Sequence, residues 1–281
     1  MLKATPRIVI VGCGYTGRVV ARSLAASDHC QQEVIATSRD IRNLSGLNVT
    51  PMRFDMARAA DIEDLRSRVH PETYILLSTP VVDERLSDVV GAARRVVFLS
   101  TTGVYGAQRD VDETTPPSPA TDRQRARLHS EAQLSPCSLI LRPAAIYGPH
   151  RGVHAAMRAG RYRLPENPSQ YVSRIHVEDL AAHAVAALFG DTVGAWPVAD
   201  EEPCTSGEIA EFCSRLLSLP LPASAAAREL GETRQSDRRV DGSAIRRRLG
   251  LSLQYPSYRS GIPASVAVEA AEAEDAAARA R

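Results

Sequence analysis

The sequence predicts an α/β protein built on a doubly wound parallel sheet, with a smaller C-terminal lobe. Three observations predict it: short apolar runs, helical segments between them, and a change of texture after residue 148. The runs RIVIVG (7–12), EVIATS (33–38), TYILLST (73–79), RRVVFLST (94–101) and SLILRP (138–143) are almost uninterrupted. A strand with one wet face would alternate, so these read as strands covered on both faces. GRVVARSLAAS (17–27) and DIEDLRSRV (61–69) carry helical spacing between them. Strand alternating with helix is the pattern of a parallel sheet with helical crossovers. HVEDLAAHAVAALFG (176–190) reads as an amphipathic helix returning to the sheet. SGEIAEFCSRLLSLPLP (206–222) reads as another, with Ser206 as N-cap and Glu208 close behind. Residues 1–148 and 172–200 are expected to form the sheet domain, and 149–171 with 201–263 the smaller lobe. The stretch 264–281 is expected to be a flexible tail, because it has helix propensity without a strong apolar face.

Composition narrows the function classes. The 281 residues suffice to bury a real core. Lys+Arg 34 against Asp+Glu 33 leaves a net charge of +1, so no overall field favours nucleic acid or a membrane surface. The arginine runs read as solvated faces, and Lys3 is the only lysine. Five scattered cysteines (Cys13, Cys30, Cys137, Cys204, Cys213) without C-x-x-C spacing suggest reduced thiols rather than a disulfide frame or zinc site. No metal is expected. The apolar stretch in MLKATPRIVIVGCG is too short for a span and reads as a buried strand rather than a signal peptide. A soluble cytoplasmic protein is expected, monomer or homodimer, whose partner is a small-molecule substrate.

VGCGYTG (11–17) follows the first strand and opens a helix. In G-x-G-x-x-G, Gly12 permits the tight turn, Gly14 lets backbone approach a pyrophosphate, and Gly17 lets helix and strand pack closely. Tyr15, Thr16 and Gly17 begin a helix whose N–H groups and dipole favour an anion. A dinucleotide site of Rossmann type is expected. At the end of the second strand, Ser38 and Arg39 stand where an NAD-preferring site usually has a carboxylate. A hydroxyl and a guanidinium suit a 2′-phosphate, so NADP is favoured, with NAD possible. The alternative is that Arg39 is a surface residue and Asp40 takes the ribose.

Taken in order, IVGCGYTG, RFDM (53–56), LLSTP (76–80), VVFLSTTGVYG (96–106), DETTPPSP (112–119), LILRPAAIYGP (139–149), RIHVEDLA (174–181) and VADEEP (198–203) resemble the extended short-chain dehydrogenase/reductases, the NAD(P)-dependent epimerase/dehydratase family. The resemblance spans roughly residues 7–262. It implies that Asp55 meets the adenine with Met56 beside the ring. Ser78, Thr79 and Pro80 would line the cofactor, and Pro143 with Ala144 would pass along the nicotinamide. Thr101 falls on the catalytic serine/threonine position, four residues before Tyr105; its other reading is strand-end hydrogen bonding.

The departure lies in VDETTPPSPATDRQRARLHSEAQL (111–134), where the family keeps Tyr-x-x-x-Lys and this chain has neither residue. The resemblance is therefore to a divergent branch lacking that pair. Thr121 and Arg125 preserve the spacing; placing the helix by Glu131 instead selects Arg123 and Arg127. A permanently charged Arg125 would hold the ribose, whereas a threonine is no useful base. Tyr105, Tyr147, His150, His154, His176 and Asp122 are the other candidates for proton transfer. Two functions stay open. One is an atypical NAD(P)-dependent oxidoreductase or epimerase-like protein acting on a small or sugar-like metabolite. The other is a cofactor-binding sensor or scaffold without turnover.

Overall fold

The computed structural model describes residues 6–27, 29, 31–226, 229–230 and 237–279; Lys3 and Cys30 lie outside them. The first half alternates strand and helix: β1 (Arg7–Val11), α1 (Tyr15–Ala25), β2 (Glu33–Ser38), β3 (Thr50–Arg53), α2 (Ala59–Arg68), β4 (Thr73–Leu77), α3 (Glu84–Val90) and β5 (Arg95–Leu99). Then come α4 (Asp122–Ala132), β6 (Leu139–Pro143), β7 (Ala145–Tyr147), α5 (Val153–Arg158), β8 (Arg174–His176), α6 (Val177–Phe189) and β9 (Gly194–Val198). The chain closes with α7 (Ser206–Leu217), α8 (Ser243–Leu249) and α9 (Tyr258–Arg279).

A seven-stranded sheet runs β9-β6-β5-β4-β1-β2-β3, every pairing parallel. Successive side chains of β1 feed different cores. Ile8 and Ile10 pack with α1 and α6, while Val9 and Val11 pack with α2 and α3. This two-sided burial is why the strands read as continuous apolar runs. Two sheet strands gave no such run. β3 and β9 are the edge strands, and each carries a proline, Pro51 or Pro197. Proline cannot donate to a ladder and is tolerated where one side has no neighbour.

A further apolar cluster joins Tyr147 of β7, Met157 of α5, Ile209 and Cys213 of α7 and Tyr258 and Ile262 at the start of α9, together with Tyr162 and Cys204. The N-cap of α7 is Thr205, not Ser206: Thr205 and Glu208 form a capping box, and Ser206 is the buried first helical residue. Only the side chain with β-region backbone at the cap can turn back to the free N–H groups.

The expected flexible tail is instead the greater part of α9. Polar contacts hold it where apolar ones are few. Ser265 is buried with its Oγ 3.1 Å from His176 Nε2. The buried Glu269 carboxylate accepts from the His150 N–H and from Arg158, and lies 3.1 Å from His154 Nε2. A reading of apolar periodicity passes over such an anchor.

Candidate functional site

In the turn from β1 to α1 the tight turn at Gly12 and the close helix–strand approach at Gly17 are both present. Gly12 has φ +84°, and a Cβ on it would meet Ser78 backbone atoms at 3.1 Å, so β1 and the end of β4 approach through a glycine. A Cβ on Gly17 would meet Ile10 at 3.2 Å, which is the close helix–strand contact. Gly14 is different: nothing lies within 4 Å of a Cβ there. It is the N-cap of α1, with no side-chain cap and no acidic residue in the first turn. The free N–H groups and unfilled space fit a pyrophosphate. Thr37 braces the turn, its Oγ1 accepting from the Gly12 N–H at 2.9 Å and its carbonyl from the Cys13 N–H at 2.8 Å.

Thr16 is buried, whereas Tyr15 is half-buried and donates its hydroxyl to Pro149 O at 3.0 Å. Arg151 stacks over the Tyr15 ring, 5.1 Å from its centre. At the end of β2, Arg39 is exposed and forms no ion pair among the described residues. Asp40 is engaged: it caps the short 3₁₀ turn Ile41–Leu44 and pairs with Arg42 at 2.8 Å, which holds its carboxyl below the usual range. Asp55 Oδ1 accepts from the Ala57 N–H at 3.1 Å, and half-buried Met56 packs against the core beneath. Ser78 and Thr79 are half-buried and Pro80 is exposed. Pro143 and Ala144 are buried, the Ala144 N–H donating to Val198 O at 2.9 Å.

The α4 edge corrects the assignment of Arg125. Thr121 is the N-cap, its Oγ1 accepting from the Gln124 N–H, while the Gln124 side chain accepts from Ala120 N–H at 2.7 Å and from Thr121 N–H. Arg125 is exposed and turned to its own helix start, donating to Asp122 at 2.6 Å and to Ala120 O at 3.1 Å. Arg127 instead crosses to the sheet, donating to Thr79 O at 3.0 Å and lying 3.5 Å from Leu99 O. Burial opposes its charge and lowers its pKa. Arg123, exposed, lies four residues earlier on the same helical face. Glu131 was the signal for this alignment, and its contacts explain why. Its carboxylate is buried with Arg142 in a bidentate pair, 2.6 Å at the closest, and accepts from the Ser100 hydroxyl. That pair sets which face of α4 turns inward.

The same network corrects Tyr105. It is buried, and its hydroxyl accepts from Arg142 at 3.1 Å rather than facing a substrate. Burial pushes its pKa up, only partly relieved by Arg142. Burial opposes the charge on Arg142, but the Glu131 carboxylate prevails and holds its pKa above the ordinary value. Tyr147 is also no free acid: its hydroxyl donates to Ser257 O at 3.2 Å, and burial raises its pKa. Thr101 is half-buried, with its Oγ1 accepting from the Gly103 N–H at 3.0 Å. His176 caps α6 through Nδ1, and burial lowers its pKa to about 4. His150 and His154 face Glu272 and Glu269, and no group of described residues has the arrangement of a metal site.

Just beyond Ala144 a cavity of about 260 Å³ opens, lined by Ala145, Ile146, Tyr147, Arg151, Gly152, Val153, Tyr162, Val172, Arg174 and Ser206. No described helix is long and apolar enough to cross a membrane.

No family model matches the chain. Over 167 residues it is 34% identical to a Streptomyces enzyme named 3-diazoavenalumate denitrifying reductase, covering 54% of this chain and 55% of that protein. The chain thus spans about half the length of the curated relative it matches. The solved structure of a functionally unknown conserved protein from Silicibacter pomeroyi DSS is 33% identical, with TM-score 0.76 over 94% of this chain and 99% of that one. The chain belongs to that protein's family. UDP-glucuronic acid 4-epimerase from Bacillus cereus, solved with NAD, is 16% identical with TM-score 0.74, over 92% of this chain and 96% of its own. It shares the fold, as do ADP-L-glycero-D-manno-heptose-6-epimerase from Helicobacter pylori and dTDP-glucose 4,6-dehydratase from Bacillus anthracis, the latter solved with NAD.

Proposed function

We propose that the protein is an NAD(P)-dependent reductase, with NADP favoured, that delivers hydride to a small substrate without a tyrosine as proton donor. One observation carries this reading: the α4 face directed at the ends of β4 and β5 bears Arg127, with Arg123 four residues before it, while Tyr105 and Tyr147 spend their hydroxyls elsewhere. Bound along the glycine turn, a reduced nicotinamide supplies the hydride. Arg127 holds its ribose, with a guanidinium in place of an ammonium. Thr101 offers a hydroxyl to the acceptor, and Gly14 with the start of α1 holds the pyrophosphate. Ser38 and Arg39 take the 2′-phosphate, Asp40 being committed to Arg42.

A guanidinium at the tyrosine position steadies developing negative charge but cannot give up a proton at neutral pH. The acceptor is therefore one whose reduction takes its proton from water or needs none. An acceptor that is itself a cation, such as an aryl diazonium, becomes neutral on taking hydride. The resemblance to a reductase named for a diazo substrate supports this choice.

The test is NADPH consumption, above the uncatalysed rate, with aryl diazonium salts and with simple ketones. Diazonium turnover with little ketone reduction is expected, and Arg123→Tyr with Arg127→Lys should raise ketone reduction. Ketone reduction by the unaltered protein with a bell-shaped pH profile would show a side-chain acid and end this reading. On the cofactor, NADPH should bind more tightly than NADH, and Arg39→Ala should remove most of the preference; equal affinities would reject NADP.

A further inference from the structure

We infer that the 260 Å³ cavity is a carboxylate site, and that the molecule it takes is a small planar acid held by Arg174 and Arg151. This rests on the reductase reading only in making that acid the molecule reduced. Arg174 is 6% exposed, and a buried guanidinium is costly unless an anion or carbonyl oxygens satisfy all of its N–H groups. Among the described residues no carboxylate is hydrogen-bonded to it. Among the described residues its hydrogen bonds leave from Nη1 alone, to Val172 O at 2.7 Å and Cys204 Sγ at 3.0 Å, and it forms no ion pair. Asp200 gives its backbone N–H to Arg174 O, yet its carboxylate makes no ion pair with that guanidinium. Burial pushes the Asp200 pKa well up, and the nearby Arg174 charge opposes that shift.

The position is rigid. Arg174 begins β8 and pairs with Ala145 of β7, two residues beyond Pro143. Arg151 enters from the facing loop, stacked on Tyr15 and without an ion-pair partner among the described residues. A carboxylate between them receives fork-like donors, the geometry guanidinium groups match best. Ile146, Tyr147, Val153 and Tyr162 supply the apolar remainder, suited to a flat ring or an unsaturated chain. The volume lies below the roughly 300–1,000 Å³ usual for ligand pockets. That size favours a single-ring acid over a nucleotide sugar, the kind of molecule for which the Bacillus cereus epimerase is named.

The test is calorimetric titration of the full chain, with and without NADPH, using trans-cinnamate, its neutral isostere cinnamamide, phenyl phosphate and UDP-glucose. Cinnamate should bind about tenfold or more tightly than cinnamamide, the effect of a charge-assisted contact. Arg174→Gln and Arg151→Gln should each erase most of that difference. Should Arg174→Gln fail to fold, the exposed Arg151 decides. Equal binding of acid and amide, an unchanged ratio in Arg151→Gln, or no heat from cinnamate at millimolar concentration would overturn the proposal. Tighter binding of phenyl phosphate or UDP-glucose would overturn it in favour of a phosphate ligand. The cofactor-free titration separates the two readings: loss of NADPH binding alone removes the reductase and leaves the acid site standing.

Discussion

The β1–α1 turn and α4 lean on the same landmark, the Ser78–Thr79 end of β4, but they are built on different principles. The turn reaches Ser78 through the backbone of Gly12, where no Cβ stands between the two. α4 reaches Thr79 through the side chain of Arg127. Its orientation is set behind, by the buried Glu131–Arg142 pair. A glycine's meaning is local, because its φ and its missing Cβ act where it stands. A helical side chain's meaning depends on the rotation of its helix, which distant contacts decide. Counting four residues from Thr121 therefore selects Arg125, which faces its own helix cap. Counting back from Glu131 selects the arginine that reaches the sheet.

The largest effect separating the two regions should come from Glu131→Ala, which leaves Arg142 charged and buried. Breaking such a pair costs about 3–5 kcal/mol, read as a lowered denaturant midpoint. Replacing both partners by leucine should recover much of it. Little loss in the single variant would remove the pair as what orients α4.

At the turn, Gly14→Val should weaken NADPH binding by about a hundredfold or more, roughly 3 kcal/mol, with circular dichroism unchanged. The fold tolerates it because Gly14 has φ −89° and open space at its Cβ. Gly12→Ala should do the opposite kind of harm and lower stability by about 1–3 kcal/mol, since its φ is +84°. Unchanged NADPH affinity in Gly14→Val would break the pyrophosphate assignment.

A smaller effect is expected from Arg127→Met, which should cost about 1.5–3 kcal/mol of NADPH affinity for the lost charge-assisted contact. Smallest of all, Arg125→Met should stay within about 0.5 kcal/mol in both stability and binding, as an exposed pair to Asp122 contributes little. The reverse order in calorimetry would return the ribose contact to Arg125.

What the sequence determined by itself follows from short-range physics. The inner strands were legible because both faces are buried, and the glycine turn because its residues act through their own backbone. Residues 111–134 contain neither tyrosine nor lysine, which the sequence shows directly. The edge strands β3 and β9 escaped notice because Pro51 and Pro197 break the apolar run where no neighbour needs the N–H. Tertiary structure decided the rest. It alone buried Tyr105 against Arg142, committed the Tyr147 hydroxyl to Ser257, and turned the polar tail into α9 by sinking Glu269 between His154 and Arg158. Each of those outcomes depends on a partner far along the chain: Arg142 to Tyr105 at 37 residues, Tyr147 to Ser257 at 110 and His154 to Glu269 at 115. A polar residue's role lies in the partner that satisfies it, and the spacing of its neighbours in sequence does not name that partner.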